Sequence, residues 1–409
     1  MRENTAMKKK ARALAQQTGE KYVTAQKRIA AQAPAPTAAR FPDTATLPSP
    51  TLIPASIDEA SEMYPSFRMQ LGIDESGAIV GVDLTKNPHA LFFGGTGSGT
   101  SVLARTVIES FRSAGWMIFI GDGKATDYEG LHRQPGIVAI SQRTADHVRM
   151  VRIVADELRG RQADAVARRK AGERGLFPCP PLLLLLNEYA VMRADIRDEY
   201  GADVHEFDSD VQFITRIGRE FRVHVIVATQ DLSPRNIPTS LLENLSTRVA
   251  LGSSGNAATL TAFPYPHRET ARRIIESFGS HVRGRGLASF IDDDGDNRIV
   301  EIQIFIGYSR TVEVQTFIGV VPGDANHVPD EDADADFTQY QRDVSNTVPS
   351  LYPRLWFQVD VPHYEQPLSA LYACPTVALD RPDGSPDPEM EQYDPIHPSY
   401  LGAAEARRR

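Results

Sequence analysis

The sequence predicts an α/β fold in which a mostly parallel central sheet is flanked by helices. Three observations lead to this prediction. Short apolar runs alternate with longer helical patterns from about Phe67, a glycine-rich segment lies between a strand pattern and a helix pattern, and an unbroken leucine run covers 182–186. Strands that are apolar along their whole length are typical of parallel sheets, because helices cover both faces.

The two ends of the chain differ in composition from this middle part. Of the 409 residues, 1–31 are basic with a helical pattern, and 32–58 are rich in Ala and Pro, as in a linker. We expect the α/β domain over 59–322 and an acidic, Pro-rich C-terminal tail, irregular or docked without its own core, over 323–409. The basic segment is a solvated helix, a stretch that contacts the DNA phosphate backbone, or a small helix-turn-helix unit.

Composition also limits the partners and the cellular setting. The net charge of -9 argues against a generally basic nucleic-acid coat, so any DNA contact is expected at local patches. Cys179 and Cys374 have neither a disulfide-framework nor a metal-ligand spacing. Because the sequence has no apolar run of about 20 residues and no secretory signal pattern, we expect a cytoplasmic protein without stable membrane insertion.

The glycine-rich segment has the pattern of a phosphate-binding loop. It consists of Gly94, Gly95, Thr96, Gly97, Ser98, Gly99, Thr100 and Ser101. Because it follows a strand pattern and opens a helix pattern, its backbone N–H groups and the helix N-terminus predict phosphate binding. Ser101 stands where a hydroxyl would bind Mg²⁺, so the expected ligand is ATP with Mg²⁺. A glycine-rich turn that serves close packing alone is the alternative.

Thr100 is the departure from the G-x-x-x-x-G-K-[ST] pattern, because it replaces the lysine. A lysine places a full positive charge against the β- and γ-phosphates, whereas threonine offers a hydrogen bond at most. Charge-assisted contacts contribute about 1.5–3 kcal/mol, so nucleotide affinity is expected to fall by about one to two orders of magnitude. Catalysis is expected to suffer more, since that charge also acts on the transition state.

A second polar cluster follows the leucine run at Asn187 and Glu188. In P-loop ATPases the first of these positions is normally Asp, which holds the Mg²⁺ shell, and the following Glu activates the attacking water. Asn187 is neutral and offers only a carbonyl oxygen, while Glu188 keeps its carboxylate. The alternative is that both residues cap the end of the strand. A further apolar strand pattern ends at Gln230, where an amide is expected to sense the γ-phosphate or to form a turn.

An acidic segment, Asp292-Asp293-Asp294-Gly295-Asp296-Asn297, has the composition of part of a calcium loop. It lacks the glutamate expected at loop position 12 and lies between two strand patterns. We therefore predict a hairpin turn here, and no metal site other than the Mg²⁺ that accompanies nucleotide.

Several segments together resemble the FtsK/SpoIIIE family of DNA-pumping ATPases, and especially its actinobacterial plasmid-transfer branch. They are HALFFGGTGSGTSVLARTVI, IGDGK followed by Tyr128 and Glu129, LLLLLNEYAVM, RIGREFRVHVIVATQDLSPRNIP and ENLSTRVAL. The most discriminating part lies within 215–238, because generic P-loop proteins lack it. By this resemblance the chain carries degenerate Walker A and Walker B motifs, with Thr100 and Asn187 at the altered positions.

The resemblance implies a RecA-like P-loop NTPase fold, a homo-oligomeric ring, usually a hexamer, around double-stranded DNA, and ATP-driven translocation. It makes the glycine-rich segment the phosphate loop, Glu188 the water-activating base and Gln230 the sensor. Arg219 and Arg248 are candidates for contacting a neighbouring subunit's nucleotide, or are solvated surface arginines.

The resemblance thus implies an ATP-binding protein that acts on double-stranded DNA with impaired hydrolysis. Two alternatives stay open. The chain is a non-catalytic partner of an active paralogue, or it is a type VII secretion-like ATPase that acts on protein.

Overall fold

The computed structural model describes residues 18, 41–42, 45–48, 52–174, 179–252, 262–263, 267–278, 283–308, 348–357 and 368–401. The chain divides into two compact units, Met1–Phe41 and Pro42–Arg409. The basic segment predicted over 1–31 lies outside the described residues except for Thr18, which is helical. The α/β architecture belongs to the second unit.

Among the residues that the structure describes, eleven strands of the second unit form one sheet. They are β1 Ala45–Leu47, β2 Arg68–Ile73, β3 Ile79–Asp83, β4 His89–Gly94, β5 Met117–Asp122, β6 Ile137–Ser141, β7 Leu182–Asn187, β8 Val223–Thr229, β9 Thr247–Leu251, β10 Arg285–Ile291 and β11 Asn297–Tyr308. Six of them are parallel and lie in the order β9-β4-β8-β7-β5-β6. Every residue of β4, β7 and β8 is buried, which confirms the predicted parallel sheet.

The sheet continues on the β9 side with antiparallel strands. β10 pairs with β9, β11 with β10, β2 with β11 and β3 with β2. The predicted hairpin turn is confirmed, since Ile291 pairs with Asn297 across it and Asp292 accepts hydrogen bonds from the backbone N–H groups of Asp294 and Asp296. β1, which lies within the predicted linker, pairs in parallel with β11.

Helices cover both faces of the sheet. Those within the described ranges are α1 Ile57–Met63, α2 Thr100–Ser113, α3 Thr144–Lys170, α4 Tyr189–Tyr200, α5 Val204–Ile217, α6 Thr239–Asn244, α7 Arg268–Ser277 and α8 Leu368–Tyr372. β7 shows the two layers well, because its side chains alternate between faces. Leu183 and Leu185 belong to the core that contains the apolar residues of α2, whereas Leu184 and Leu186 belong to the core beneath α3, α4 and α5.

The described parts of the predicted tail, 348–357 and 368–401, pack against the helical layer and the edge of the sheet. Strands β12 Leu355–Phe357 and β13 Thr376–Ala378 pair antiparallel. The Tyr352 hydroxyl donates to the Gly115 carbonyl at 3.0 Å, and the Arg149 guanidinium donates to the Cys374 carbonyl at 2.9 Å. The boundaries at 58 and 322 stay predictions. Over the described ranges, no helix combines the length and apolarity that a membrane span needs.

Candidate functional site

The glycine-rich loop lies where β4 ends and α2 begins, at the carboxyl edge of the parallel strands. Gly97 and Gly99 have φ values of +78° and +109°, in the left-handed region that favours glycine, and Gly99 is the N-cap of α2. A Cβ on Gly94 would lie 2.4 Å from Ser98 Oγ and 2.6 Å from the Leu251 carbonyl oxygen. A Cβ on Gly95 would meet nothing within 4 Å. The loop is therefore tightly packed at Gly94, whereas residues 95–97 are exposed to solvent.

The hydroxyl groups at the start of α2 have separate partners. Thr100 Oγ1 lies 3.2 Å from Ser98 Oγ, so the residue at the lysine position forms a neutral hydrogen bond within the loop. Ser101 Oγ donates to Asp127 Oδ2 at 2.9 Å. The residue predicted to bind Mg²⁺ is therefore already in contact with a carboxylate, and that carboxylate does not come from β7.

Asp127 also contacts the end of β7. Asn187 is 2% exposed, and its Nδ2 atom donates to the same Asp127 Oδ2 atom at 3.2 Å. Asp127 therefore lies between the loop hydroxyl and the strand residue that replaces the usual aspartate. Our reading of the sequence missed Asp127. The available signal was its place just after β5, the strand that neighbours β7 at the same edge of the sheet.

The segment 123–128, called here the β5 loop, is held by Asp122 at the end of β5. This fully buried carboxylate accepts hydrogen bonds from the backbone N–H groups of Lys124, Asp127 and Tyr128 at 3.2, 2.9 and 3.3 Å. Burial raises the pKa of Asp122, and the nearby Asp127 carboxylate raises it further. The backbone of the β5 loop thus depends on Asp122, while the side chains of Lys124 and Asp127 face the site.

Glu188 is the centre of a second network. Its backbone φ of +52° is unusual for a residue other than glycine and places the side chain at the start of α4. Its Oε1 atom accepts from Gln230 Nε2 at 2.6 Å and lies 2.7 Å from Lys124 Nζ. Thr96 Oγ1 donates to Gln230 Oε1 at 2.8 Å. The predicted sensor thus connects the glycine-rich loop to the predicted base.

Lys124 stays positively charged at neutral pH in this setting. Burial lowers its pKa, but the hydrogen bond and ion pair with Glu188 and the charges of Asp127 and Asp122 raise it more, so the net shift is upward. Its Nζ atom also lies 4.0 Å from Asp127 Oδ2. A lysine that our sequence analysis did not assign to the site therefore lies among the predicted catalytic and metal-binding groups.

Arg219 and Arg248 lie away from this cluster, near the amino ends of the strands. Arg219 is an exposed residue of the short turn Gly218–Phe221 that precedes β8. Arg248 is near the start of β9, where its guanidinium donates to the carbonyl groups of Leu245 at 3.0 Å and Leu242 at 2.8 Å, and to that of Ala262. In this structure Arg248 therefore satisfies backbone carbonyls of its own chain. The role of both arginines toward a neighbour's nucleotide stays a prediction.

The residues of the site fit a magnesium nucleotide in the kinds of atoms they offer. Phosphates are bound by backbone N–H groups at glycine-rich loops and helix N-termini, and Mg²⁺ prefers oxygen ligands. The glycine-rich loop would hold the phosphates, while the Ser101 hydroxyl, the Asp127 carboxylate and the Asn187 side-chain oxygen are available to the cation. When bound, the nucleotide would supply the phosphoryl group and Mg²⁺ would neutralise its charge.

Comparison with known proteins finds related sequences, although no family model matches the chain. The DNA translocase FtsK of Streptomyces avermitilis is 27% identical over 277 residues, and the DNA translocase SftA of Bacillus subtilis is 26% identical over 253 residues. The ESX-1 secretion system protein EccCa1 of Mycobacterium tuberculosis is 29% identical over 204 residues. These alignments cover 60%, 57% and 43% of this chain but only 29%, 24% and 26% of the relatives, so the chain spans about a quarter of their length.

A solved structure confirms the fold. EssC (ATPases 2 and 3) from Geobacillus thermodenitrificans superposes with a TM-score of 0.50 at 14% sequence identity, over 76% of this chain and 53% of that one. This superposition confirms the predicted RecA-like P-loop fold. At this identity the likeness concerns the fold alone.

Proposed function

Since this chain belongs with the FtsK/SpoIIIE-type P-loop ATPases, we propose that it binds ATP with Mg²⁺ at the glycine-rich loop, with hydrolysis impaired. We further propose that it acts on double-stranded DNA, in translocation, transfer or segregation. One observation carries the proposal. The loop, Ser101 and Glu188 are arranged around a common site, whereas the two altered positions, Thr100 and Asn187, contribute no charge to it.

Impaired hydrolysis follows from what the residues can do during phosphoryl transfer. That reaction depends on groups that stabilise negative charge as it develops, and neutral Thr100 removes one of these. Glu188, the proposed base, has one carboxylate oxygen engaged by both Lys124 and Gln230. A water activated by Glu188 would therefore have to approach its other carboxylate oxygen, Oε2. Nucleotide binding should therefore be weakened less than ATP hydrolysis.

Action on DNA is supported by the names of the FtsK and SftA relatives, which are DNA translocases. A translocase of this type would assemble as a homo-oligomeric ring, which we propose to be a hexamer. Arg219 and Arg248 would then be available for a neighbour's nucleotide, Arg248 only after it leaves three backbone carbonyls. Glutaraldehyde crosslinking and light scattering with and without a DNA duplex would measure the assembly.

ATP turnover with and without double-stranded DNA tests the catalytic part of the proposal. The wild-type chain should be near background, while the double variant Thr100→Lys, Asn187→Asp should gain DNA-stimulated turnover. Adding Glu188→Gln to that double variant should remove the gain and so assign it to this site. Wild-type turnover at the level of an active translocase would contradict the impairment.

A second candidate function is supported by the EccCa1 relative, whose name refers to a secretion system. In this alternative the chain acts on a protein substrate, or sits as a non-catalytic subunit beside an active, lysine-bearing paralogue. Fluorescence anisotropy with labelled duplex DNA separates the candidates, because DNA binding should weaken steeply with salt. If no binding is seen at low salt and the chain co-purifies with a lysine-bearing homologue, the second candidate is favoured.

A further inference from the structure

The β5 loop places one lysine and one aspartate in the site from which the usual lysine and aspartate are missing. Lys124 Nζ lies 2.7 Å from Glu188 Oε1, and Asp127 Oδ2 lies within 2.9 Å of Ser101 Oγ and 3.2 Å of Asn187 Nδ2. Both side chains therefore contact residues of the glycine-rich loop or of the β7 end. Both residues lie in the loop that follows β5, whereas Thr100 begins α2 and Asn187 ends β7.

We propose that Lys124 and Asp127 take over the charges that Thr100 and Asn187 lack. Asp127 would serve as the carboxylate for the divalent cation beside Ser101, and Lys124 as the cation for the nucleotide phosphates. This inference rests on the proposed nucleotide site and adds the residues through which that site works. In this proposal the nucleotide site keeps a lysine and an aspartate at new positions instead of lacking them.

The charges of the site agree with this exchange. A P-loop ATPase with intact motifs has one lysine and two acidic residues at these positions, so its net charge there is negative by one. Here Lys124, Asp127 and Glu188 supply one lysine and two acidic side chains within one network of contacts, beside the buried carboxylate of Asp122. The kinds of charged side chain that a magnesium nucleotide meets are therefore kept, although the lysine and one of the carboxylates come from the β5 loop.

A purely structural role accounts less well for the two side chains. The backbone of the β5 loop is already held by the Asp122 carboxylate through three N–H groups. The Lys124 side chain is 41% exposed and that of Asp127 is 20% exposed, so a ligand can approach both. Their polar ends converge on the site instead of completing the fold of the loop.

Equilibrium titration with a fluorescent ATP analogue, in MgCl₂ and separately in EDTA, tests the inference without relying on turnover. The wild-type chain should bind about tenfold more tightly in Mg²⁺ than in EDTA. Asp127→Asn should abolish this ratio, because it keeps the shape of the side chain and removes its charge. Lys124→Gln should weaken binding about tenfold in both buffers, because its charge acts on the phosphates themselves.

Two further sets of variants separate charge from structure. The exchange Asp127→Asn, Asn187→Asp returns the carboxylate to β7 and should recover the Mg²⁺ ratio, which damage to the fold would not do. Lys86→Gln and Asp293→Asn change a lysine and an aspartate that pair with each other at 3.2 Å near the β10–β11 turn, outside the site, and should bind like wild type.

The outcomes distinguish this inference from the proposed function. If wild type binds the analogue but Asp127→Asn keeps the full Mg²⁺ ratio, or Lys124→Gln binds as well as Lys86→Gln, the relocation of charge is wrong and the nucleotide site stands. If wild type binds in neither buffer, the nucleotide site itself is wrong and the relocation falls with it.

Discussion

Restoring the usual aspartate, as Asn187→Asp, should destabilise the protein when no divalent cation is present. Asn187 is buried, and its Nδ2 donates to Asp127 Oδ2 at 3.2 Å. An aspartate there loses this donor and places two carboxylates in contact. At that separation and an effective dielectric constant of about 20, the repulsion of two unit charges is about 5 kcal/mol.

Proton uptake limits the cost of this substitution. Keeping one carboxyl with an ordinary pKa of about 3.9 protonated at pH 7 costs about 4 kcal/mol, and the resulting O–H can donate to the other carboxylate. Lys124, 4.0 Å from Asp127, offsets part of the charge. The free energy of unfolding in EDTA should therefore fall by about 2–4 kcal/mol relative to wild type.

Urea unfolding at pH 7, followed by tryptophan fluorescence, measures this loss. Trp116 is fully buried in an aromatic cluster with Phe67 and Phe111, so its emission should report on the core. Added Mg²⁺ should recover more than half of the loss, because a cation between two carboxylates removes the repulsion. The deficit should also shrink as the pH falls toward 5, since the folded variant takes up a proton more readily than the unfolded chain.

The exchange variant Asp127→Asn, Asn187→Asp is the matched control. It has one carboxylate and one amide at the same two positions, so its stability in EDTA should lie within about 1 kcal/mol of wild type. If the single variant Asn187→Asp is as stable as wild type in EDTA, Asp127 does not lie beside position 187 and this account of the site is wrong.

Three further predictions concern the loop, the tail and the buried histidines. Gly94→Ala should lower the free energy of unfolding by more than about 2 kcal/mol, because overpacking costs about 1–3 kcal/mol and the new Cβ would also approach backbone closely. Gly95→Ala, with open space around its Cβ, should cost less than about 1 kcal/mol in the same urea assay. Arg354→Ala removes the ion-pair partner of Asp380, at 2.7 Å, and one of the two arginines that pair with Asp394, at 3.0 Å, and should destabilise by about 3 kcal/mol. The exposed Arg381→Ala should change stability by less than about 0.5 kcal/mol. Burial depresses the pKa of His89, His147 and His224 to about 3, 3 and 4. Below the unfolded pKa of about 6.5 the unfolded chain binds more protons than the folded one, so the free energy of unfolding should decrease as the pH is lowered, by about 2 kcal/mol per histidine between pH 8 and pH 5. Equal unfolding midpoints at the two pH values would contradict this.

The parts of the fold that depend on neighbouring residues could be predicted from the sequence. The glycine-rich loop, the leucine strand β7 and the hairpin turn at 292–296 are each determined within a few residues, by glycine conformations, full burial or a turn between two strand patterns. The two altered motif positions, Thr100 and Asn187, are also visible in the sequence itself. These local patterns were sufficient for the fold class and for the expectation of a nucleotide site.

The composition of that site was decided only by the tertiary structure. Asp127 is 60 positions from Asn187 and 26 from Ser101. The three residues meet because β5 neighbours β7 in the sheet and only β7 and β8 separate β5 from β4, the strand that leads into the glycine-rich loop. The spacing of residues does not reveal which strands become neighbours, since that follows from how the helices cross the two faces. The sequence alone therefore shows a phosphate loop without its lysine and a β7 end without its aspartate. The folded chain brings Lys124 and Asp127 of the β5 loop into the same site.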